Sequence, residues 1–155
     1  AFDHYFITPL ASEIALCDAG TSPCVGWVRT GRVFNGYARA RPTATRLGMC
    51  RFFNDTFAPK SSHFYALHGL GCEDTIASFP DWQLESTDLF YMYLPDAGGH
   101  CPGGSIPVYR LYNNGMGGAP NPRFVTTLAD RTAMVDKGYV SEGFGPLGVG
   151  MCSPL

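Results

Sequence analysis

The chain has 155 residues, with 11 basic and 13 acidic side chains and a net charge of −2. Nineteen glycines and twelve prolines make a fifth of it turn chemistry, while an apolar fraction of 45% excludes a disordered chain. No run nears the roughly 20 apolar residues of a membrane helix, and two lysines are too few for a binder that works by neutralising phosphates.

The size fits one domain, 1–155. In chain order, Thr8-Pro9 opens a short helix through Leu10, Ile14 and Leu16, which Gly20 stops. Pro42-Thr43-Ala44-Thr45 reads as a linker, and Phe64-Tyr65 as part of a short strand. Gly69 and Gly71 shorten the next helix to about Glu73–Ser78. Pro95–Gly99 and Cys101–Gly104 are loops. Val108–Tyr112 alternates apolar and polar residues as a half-buried strand does, and Asn113–Asn121 must be a loop. Thr127 caps a helix over Leu128–Val135, with Gly138 beyond its end.

Cysteines stand at 17, 24, 50, 72, 101 and 152, with no CxxC pair to suggest a zinc ribbon or a thioredoxin-like site. An even count suits an oxidising compartment and at least two disulfides, Cys17–Cys24 being the easiest local pair; buried free thiols are the alternative. The opening Ala-Phe-Asp-His shows no signal peptide, which fits a trimmed product or a domain from a longer secreted chain.

Internal similarity is the most informative feature. His4-Tyr5-Phe6, His63-Phe64-Tyr65 and Arg123-Phe124-Val125 recur at 59 and then 60 residues, and Trp27, Trp82 and Tyr139 head a second marker at 55 and 57. Cys50-Arg51-Phe52-Phe53-Asn54 recurs 59 residues later as Tyr109-Arg110-Leu111-Tyr112-Asn113. Gly148-Val149-Gly150-Met151-Cys152 resembles Leu47-Gly48-Met49-Cys50 and is expected to supply the place the first unit lacks. The expectation is a β-rich α+β fold of three strand-strand-helix-strand units, about 1–46, 47–105 and 106–147. A strand over 148–155 would close them into a propeller-like or trefoil-like ring without an exposed edge.

These markers resemble the repeat of DUF5648, a domain of unknown function in secreted bacterial and fungal proteins. The likeness lies in Pro107-Val108-Tyr109-Arg110-Leu111-Tyr112-Asn113, in His63-Phe64-Tyr65 and in Glu142-Gly143 after Tyr139. It implies an extracellular or cell-surface module, often attached to hydrolases, for which glycan or cell-wall polymer binding is the usual suspicion. The chain departs from the pattern at Arg123 and Val125, and at Thr30 where later units carry Glu85 and Glu142.

No serine-hydrolase elbow, metalloprotease helix, P-loop or dinucleotide fingerprint is present. His4, His63, His68 and His100 lack metal-ligand spacing, so neither a metal nor a cofactor is expected. Glu85 and Glu142 are conceivable as a glycosidase pair. Their like positions favour a structural role instead, accepting hydrogen bonds from Arg51 and Arg110. His4 and His63 are equally apt to pin neighbouring strands, and Trp27, Trp82 and Tyr139 to pack between units. The sequon Asn54-Asp55-Thr56 is read as accidental. A secreted non-catalytic glycan-binding module is the leading expectation, since rings stack on sugar C–H faces while planar polar groups bind hydroxyls. Its candidate residues are His4, His63, Tyr65, Tyr112, Asn113, Asn114, Asn121 and Arg123. A protein-interaction or targeting module, docked on a parent catalytic domain, is the rival; a hydrolase with a hidden site is the third. Neither nucleic acid nor membrane insertion is expected.

Overall fold

The computed structural model describes residues 4–39 and 46–155. The predicted linker at 42–45 lies outside them. The elements are α1 (Ala11–Asp18), β1 (Arg46–Asn54), β2 (Ser62–Leu67), α2 (Cys72–Ser78), β3 (Gln83–Ser86), β4 (Tyr91–Tyr93), β5 (Ser105–Tyr112), β6 (Pro122–Val125), α3 (Leu128–Asp136), β7 (Val140–Glu142) and β8 (Val149–Pro154).

The protein is a β-rich α+β fold built on one antiparallel sheet of eight strands. Its order is β2-β1-β4-β8-β5-β6, with β3 beside β1 and β7 beside β5. β1 pairs with β2 and, over the same residues, with β3, so the two flank it on opposite edges. β5 is flanked likewise by β6 and β7. These two half-sheets are joined through β4 and β8 by a single residue pair, Tyr93↔Cys152.

The expected ring does not form. The sheet is open, with β2 and β6 at its unpaired ends, and β8 is an interior strand between β4 and β5. Nor do the three segments repeat one design: no strand is assigned among the described residues before β1. There the chain supplies α1, irregular backbone and one bridge, Tyr37↔Tyr91. Asn35 ties this stretch to the end of β8, its N–H donating to Ser153 Oγ at 3.0 Å.

Side-chain parity on the two long strands builds the interior. Cys50 and Phe52 point to one face of β1 and pack with Ala66 and Cys72, α2 lying over them. Tyr109 and Leu111 of β5 do the same with Met134 of α3 and Tyr139. The opposite faces turn towards each other, so that Met49, Tyr65, Met92, Val108 and Met151 share one core. Arg51 and Arg110 belong to these inward faces by the same alternation.

The helices start differently. Thr127 Oγ1 accepts the Asp130 N–H at 3.0 Å, capping α3. Thr8 does not cap α1: it stands two residues before the N-cap Leu10, accepts that residue's N–H and donates to Glu13. Three disulfides, Cys17–Cys24, Cys50–Cys72 and Cys101–Cys152, account for all six cysteines. No helix among the described residues is long and apolar enough to cross a membrane.

Candidate functional site

Buried asparagines end both long strands, and they do so for a backbone reason. Asn54 Oδ1 accepts from the N–H and hydroxyl of Thr56, both at 2.8 Å. Asn113 donates to the carbonyls of Met116 and Ala119 and accepts the Asn121 N–H at 2.9 Å. Its amide is therefore spent on the turn that follows β5, where Asn114 adopts a left-handed φ of 52°. Tyr112 ends β5, paired with Pro122 and Val140.

A chain of polar contacts runs inward from this turn. Ser61 Oγ lies 3.0 Å from His4 Nδ1, His4 Nε2 lies 2.7 Å from His63 Nδ1, and His63 Nε2 lies 3.2 Å from Glu85. With both rings neutral and His63 donating to Glu85, its other nitrogen accepts from His4, which leaves His4 Nδ1 to accept the Ser61 hydroxyl. Glu85 also meets Arg51 Nε at 2.8 Å, and the remaining Arg51 nitrogens hold Glu13 of α1 in a two-pronged grip, 2.9 Å on each side. Burial above all, then the neighbouring His63, lowers the His4 pKa to about 4 against the opposing Glu85. Burial raises the Glu85 pKa, but His63 and Arg51 outweigh it and bring the carboxyl below its ordinary value. Trp27 and Phe6 pack around these rings, with centroids 4.8 Å from His4 and His63 respectively. At its outer end the chain meets a cavity of about 40 Å3 bordered by His4, Lys60, Ser61, Asn113 and Asn121. That volume suits about one water molecule. The Asn121 side-chain nitrogen has no hydrogen-bond partner among the described residues.

The larger concavity lies elsewhere, between the two half-sheets. It measures about 410 Å3, and its walls include Tyr65 of β2, Asp74 of α2, Arg110 of β5, Phe124 of β6, and Phe144 and Met151. Glycines at its border allow close packing. A Cβ on Gly150 would lie 2.9 Å from that of Arg110, and one on Gly143, at φ 128°, would press the Val149 carbonyl at 2.6 Å. Arg110 enters this cleft with one ionic neighbour, Glu142, 3.5 Å from its Nε. That Nε makes no hydrogen bond among the described residues, and burial lowers the guanidinium pKa, with Glu142 alone opposing. The exposed Asp74 carboxylate forms no ion pair with it.

The residues anticipated for a ligand are thus dispersed. His4, Asn113 and Asn121 meet at the small cavity, and His63 lies behind them in the buried chain. Tyr65 is at the cleft, but its hydroxyl is engaged with Ile7, donating to the carbonyl at 2.9 Å and accepting the N–H at 2.7 Å. Arg123 lies over the Tyr5 ring, 3.1 Å from its centroid. Of the aromatic trio, Trp82 packs on Phe64, Tyr139 is buried beneath α3, and Trp27 rests on His4. Phe124 belongs to the marker Arg123-Phe124-Val125, while Asp74 and Phe144 lie outside the anticipated ligand residues. Their sequence signal is the pair of glycine-rich turns beside them, Gly69-Leu70-Gly71 and Gly143-Phe144-Gly145.

Cys50, His68 and Cys72 bring three metal-type donor atoms within 4.8 Å of one another, the one such group among the described residues. All three are committed. The sulfurs form a disulfide, and His68 contacts Glu73 at 2.7 Å and the Thr87 carbonyl at 2.9 Å.

A family model described as "Domain of unknown function (DUF5648)" matches residues 22–148. No curated protein and no solved structure matches the chain.

Proposed function

The chain belongs to the DUF5648 family, and from that premise we propose that it is a secreted, non-catalytic carbohydrate-binding module whose cleft takes one or two sugar units of a glycan or cell-wall polymer. The observation that carries this reading is that Asp74 and Arg110, which form no ion pair with each other, line one cleft together with Phe124 and Phe144. Sugars ask for that combination: carboxylate and guanidinium groups bind vicinal hydroxyls two at a time, and aromatic faces receive the C–H side of the ring. A volume of about 410 Å3 lies within the range of small-molecule sites. Secretion is supported by the three disulfides, which persist in oxidising compartments. Two diverged copies of one segment are supported by the like flanking of β1 and β5.

Affinity electrophoresis through gels containing neutral or acidic polysaccharides tests the reading. Retardation by at least one polymer, relieved in Asp74→Asn, is expected. Free migration through every polymer, with a blank glycan array, overturns it.

A hydrolytic reading has one observation in its favour, the ordered contacts Ser61–His4–His63–Glu85. They place a hydroxyl beside an imidazole backed by a second imidazole and a carboxylate. Against it stands the cavity, sized for water rather than for an ester or amide. Covalent labelling of Ser61 by a fluorophosphonate probe would support hydrolysis; an unlabelled protein leaves the contacts a structural role.

A further inference from the structure

We propose that the sugar taken by the cleft is a uronic acid and that its carboxylate seats on Arg110. The inference rests on the cleft being a sugar site and adds the chemical class of its occupant.

The protein itself contains the template. Arg51 and Arg110 occupy like places on the inward faces of β1 and β5. Each is paired across the sheet to an aromatic residue, Tyr65 or Phe124. Each also has a glutamate at its Nε from the short strand on the other edge, Glu85 at 2.8 Å or Glu142 at 3.5 Å. They differ in what meets the rest of the guanidinium. On Arg51 it is the Glu13 carboxylate, held at 2.9 Å on both oxygens. Arg110 makes no such bond among the described residues, and its side chain stays 23% exposed against 8% for Arg51.

Planarity, charge and burial all favour a carboxylate there. A guanidinium presents parallel donors at the spacing of two carboxylate oxygens, and such charge-assisted pairs are roughly twice as strong as neutral ones. Partial burial has already removed water from Arg110, as its lowered basicity reflects. With Glu142 alone the pair is neutral. One more carboxylate would give the balance Arg51 already holds with Glu13 and Glu85, two acids on one arginine. Asp74, without an ion pair to Arg110, is then placed to accept hydroxyls of the same ring, and Phe124 and Phe144 to cover its apolar face.

The test is calorimetry on the intact chain with oligogalacturonate, its methyl ester, oligoglucuronate, oligomannuronate and neutral oligosaccharides of equal length. At least one free acid is expected to bind about tenfold or more tightly than its ester, or than its neutral counterpart. That preference vanishes in Arg110→Gln and weakens in Arg110→Lys, which keeps the charge but loses the fork. Glu142→Gln removes a competing carboxylate and is expected to raise acid affinity without changing neutral-sugar binding, so the proposal stays testable even if Arg110→Gln does not fold. Equal binding of acid, ester and neutral sugar overturns the uronate assignment while leaving the sugar site standing. A preference that survives Arg110→Gln, or weakens in Glu142→Gln, overturns the role of Arg110. No binding of any sugar removes both readings.

Discussion

Tyr65 on β2 and Phe124 on β6 meet edge to face, their centroids 5.8 Å apart and their planes at 87°. These strands are the two ends of the sheet and share no backbone pairing, so the ring contact links ends that hydrogen bonds leave apart. Between β4 and β8 the half-sheets share one residue pair, which makes side-chain packing a large part of what holds them together. Removing the Phe124 ring takes away an aromatic pair and half-buried apolar area, and Phe124→Ala is expected to cost about 2 kcal/mol. Phe124→Leu should recover at least half of that. Urea unfolding measures both, and an alanine variant no weaker than the leucine one would show that the contact contributes nothing.

Arg51 and Arg110 were indistinguishable as sequence motifs, yet their stability contributions should differ widely. Arg51 is 8% exposed and compensates two carboxylates, so Arg51→Gln leaves Glu13 without its cation and Glu85 with His63 alone. Breaking a buried pair on one side costs about 3–5 kcal/mol. Arg110 has a single, longer contact with a glutamate that is itself 35% exposed. Its replacement by Gln leaves one half-exposed carboxylate and should cost clearly less than Arg51→Gln. Comparable losses in the two variants would show that Arg110 is a structural arginine.

What the sequence revealed and what it concealed divides along a physical line. Local chemistry was legible: Thr127 and Gly138 bracket α3, and the glycines before α2 hold it to seven residues. The β-rich character and an even set of cysteines were equally plain. Spatial order was not. β8 inserts between β4 and β5, a placement that no spacing encodes, and the ring inferred from its likeness to Leu47–Cys50 does not exist. Register escaped for a related reason. Phe53 and Tyr112 stand 59 apart, yet Phe53 pairs with His63 while Tyr112 pairs with Pro122, not Arg123. Both hairpins keep one register under a shift of 59, so Pro122 rather than Arg123 stands in the place of His63, and one residue turns a side chain to the other face of a strand. Arg123 therefore does not repeat the His63 contacts and lies on Tyr5 instead. The cleft followed from neither pattern, because its walls come from segments that meet only when the half-sheets curl together.

Acid should weaken the fold in two stages. In the unfolded chain His4 takes a proton near 6.5, whereas in the folded protein it resists until about 4. Between those values the unfolded state binds more protons, so stability falls as pH drops through that window. His63, Glu85 and Ser61 face the imidazole, and only the carboxylate opposes the shift. Glu13 and Glu85 are both held below 4.5, so their contribution is lost only at lower pH. Denaturation midpoints measured from pH 7 to 3 should decline first in the upper window, and His4→Gln should flatten that part alone. An unchanged profile in the variant would mean that the imidazole titrates alike in the folded and the unfolded chain.

The three disulfides should contribute in proportion to the logarithm of the loops they close. Cys17–Cys24 spans 7 residues, Cys50–Cys72 spans 22 and Cys101–Cys152 spans 51. Loop-closure entropy in the unfolded chain then predicts about 2, 3 and 4 kcal/mol respectively. The last bond has a second role, since Cys152 lies in β8 at the only residue pair between β4 and β8, Tyr93↔Cys152. Its removal should loosen the joint between the half-sheets as well as the unfolded chain. Paired alanine variants compared by urea midpoint should fall in the order 101/152, 50/72, 17/24, with faster amide exchange across β4 and β8 in the first. Equal losses in all three would rule out chain entropy as the dominant contribution. Exchange at β8 that stays slow in the 101/152 variant would show that pairing with β5 alone holds that strand in place.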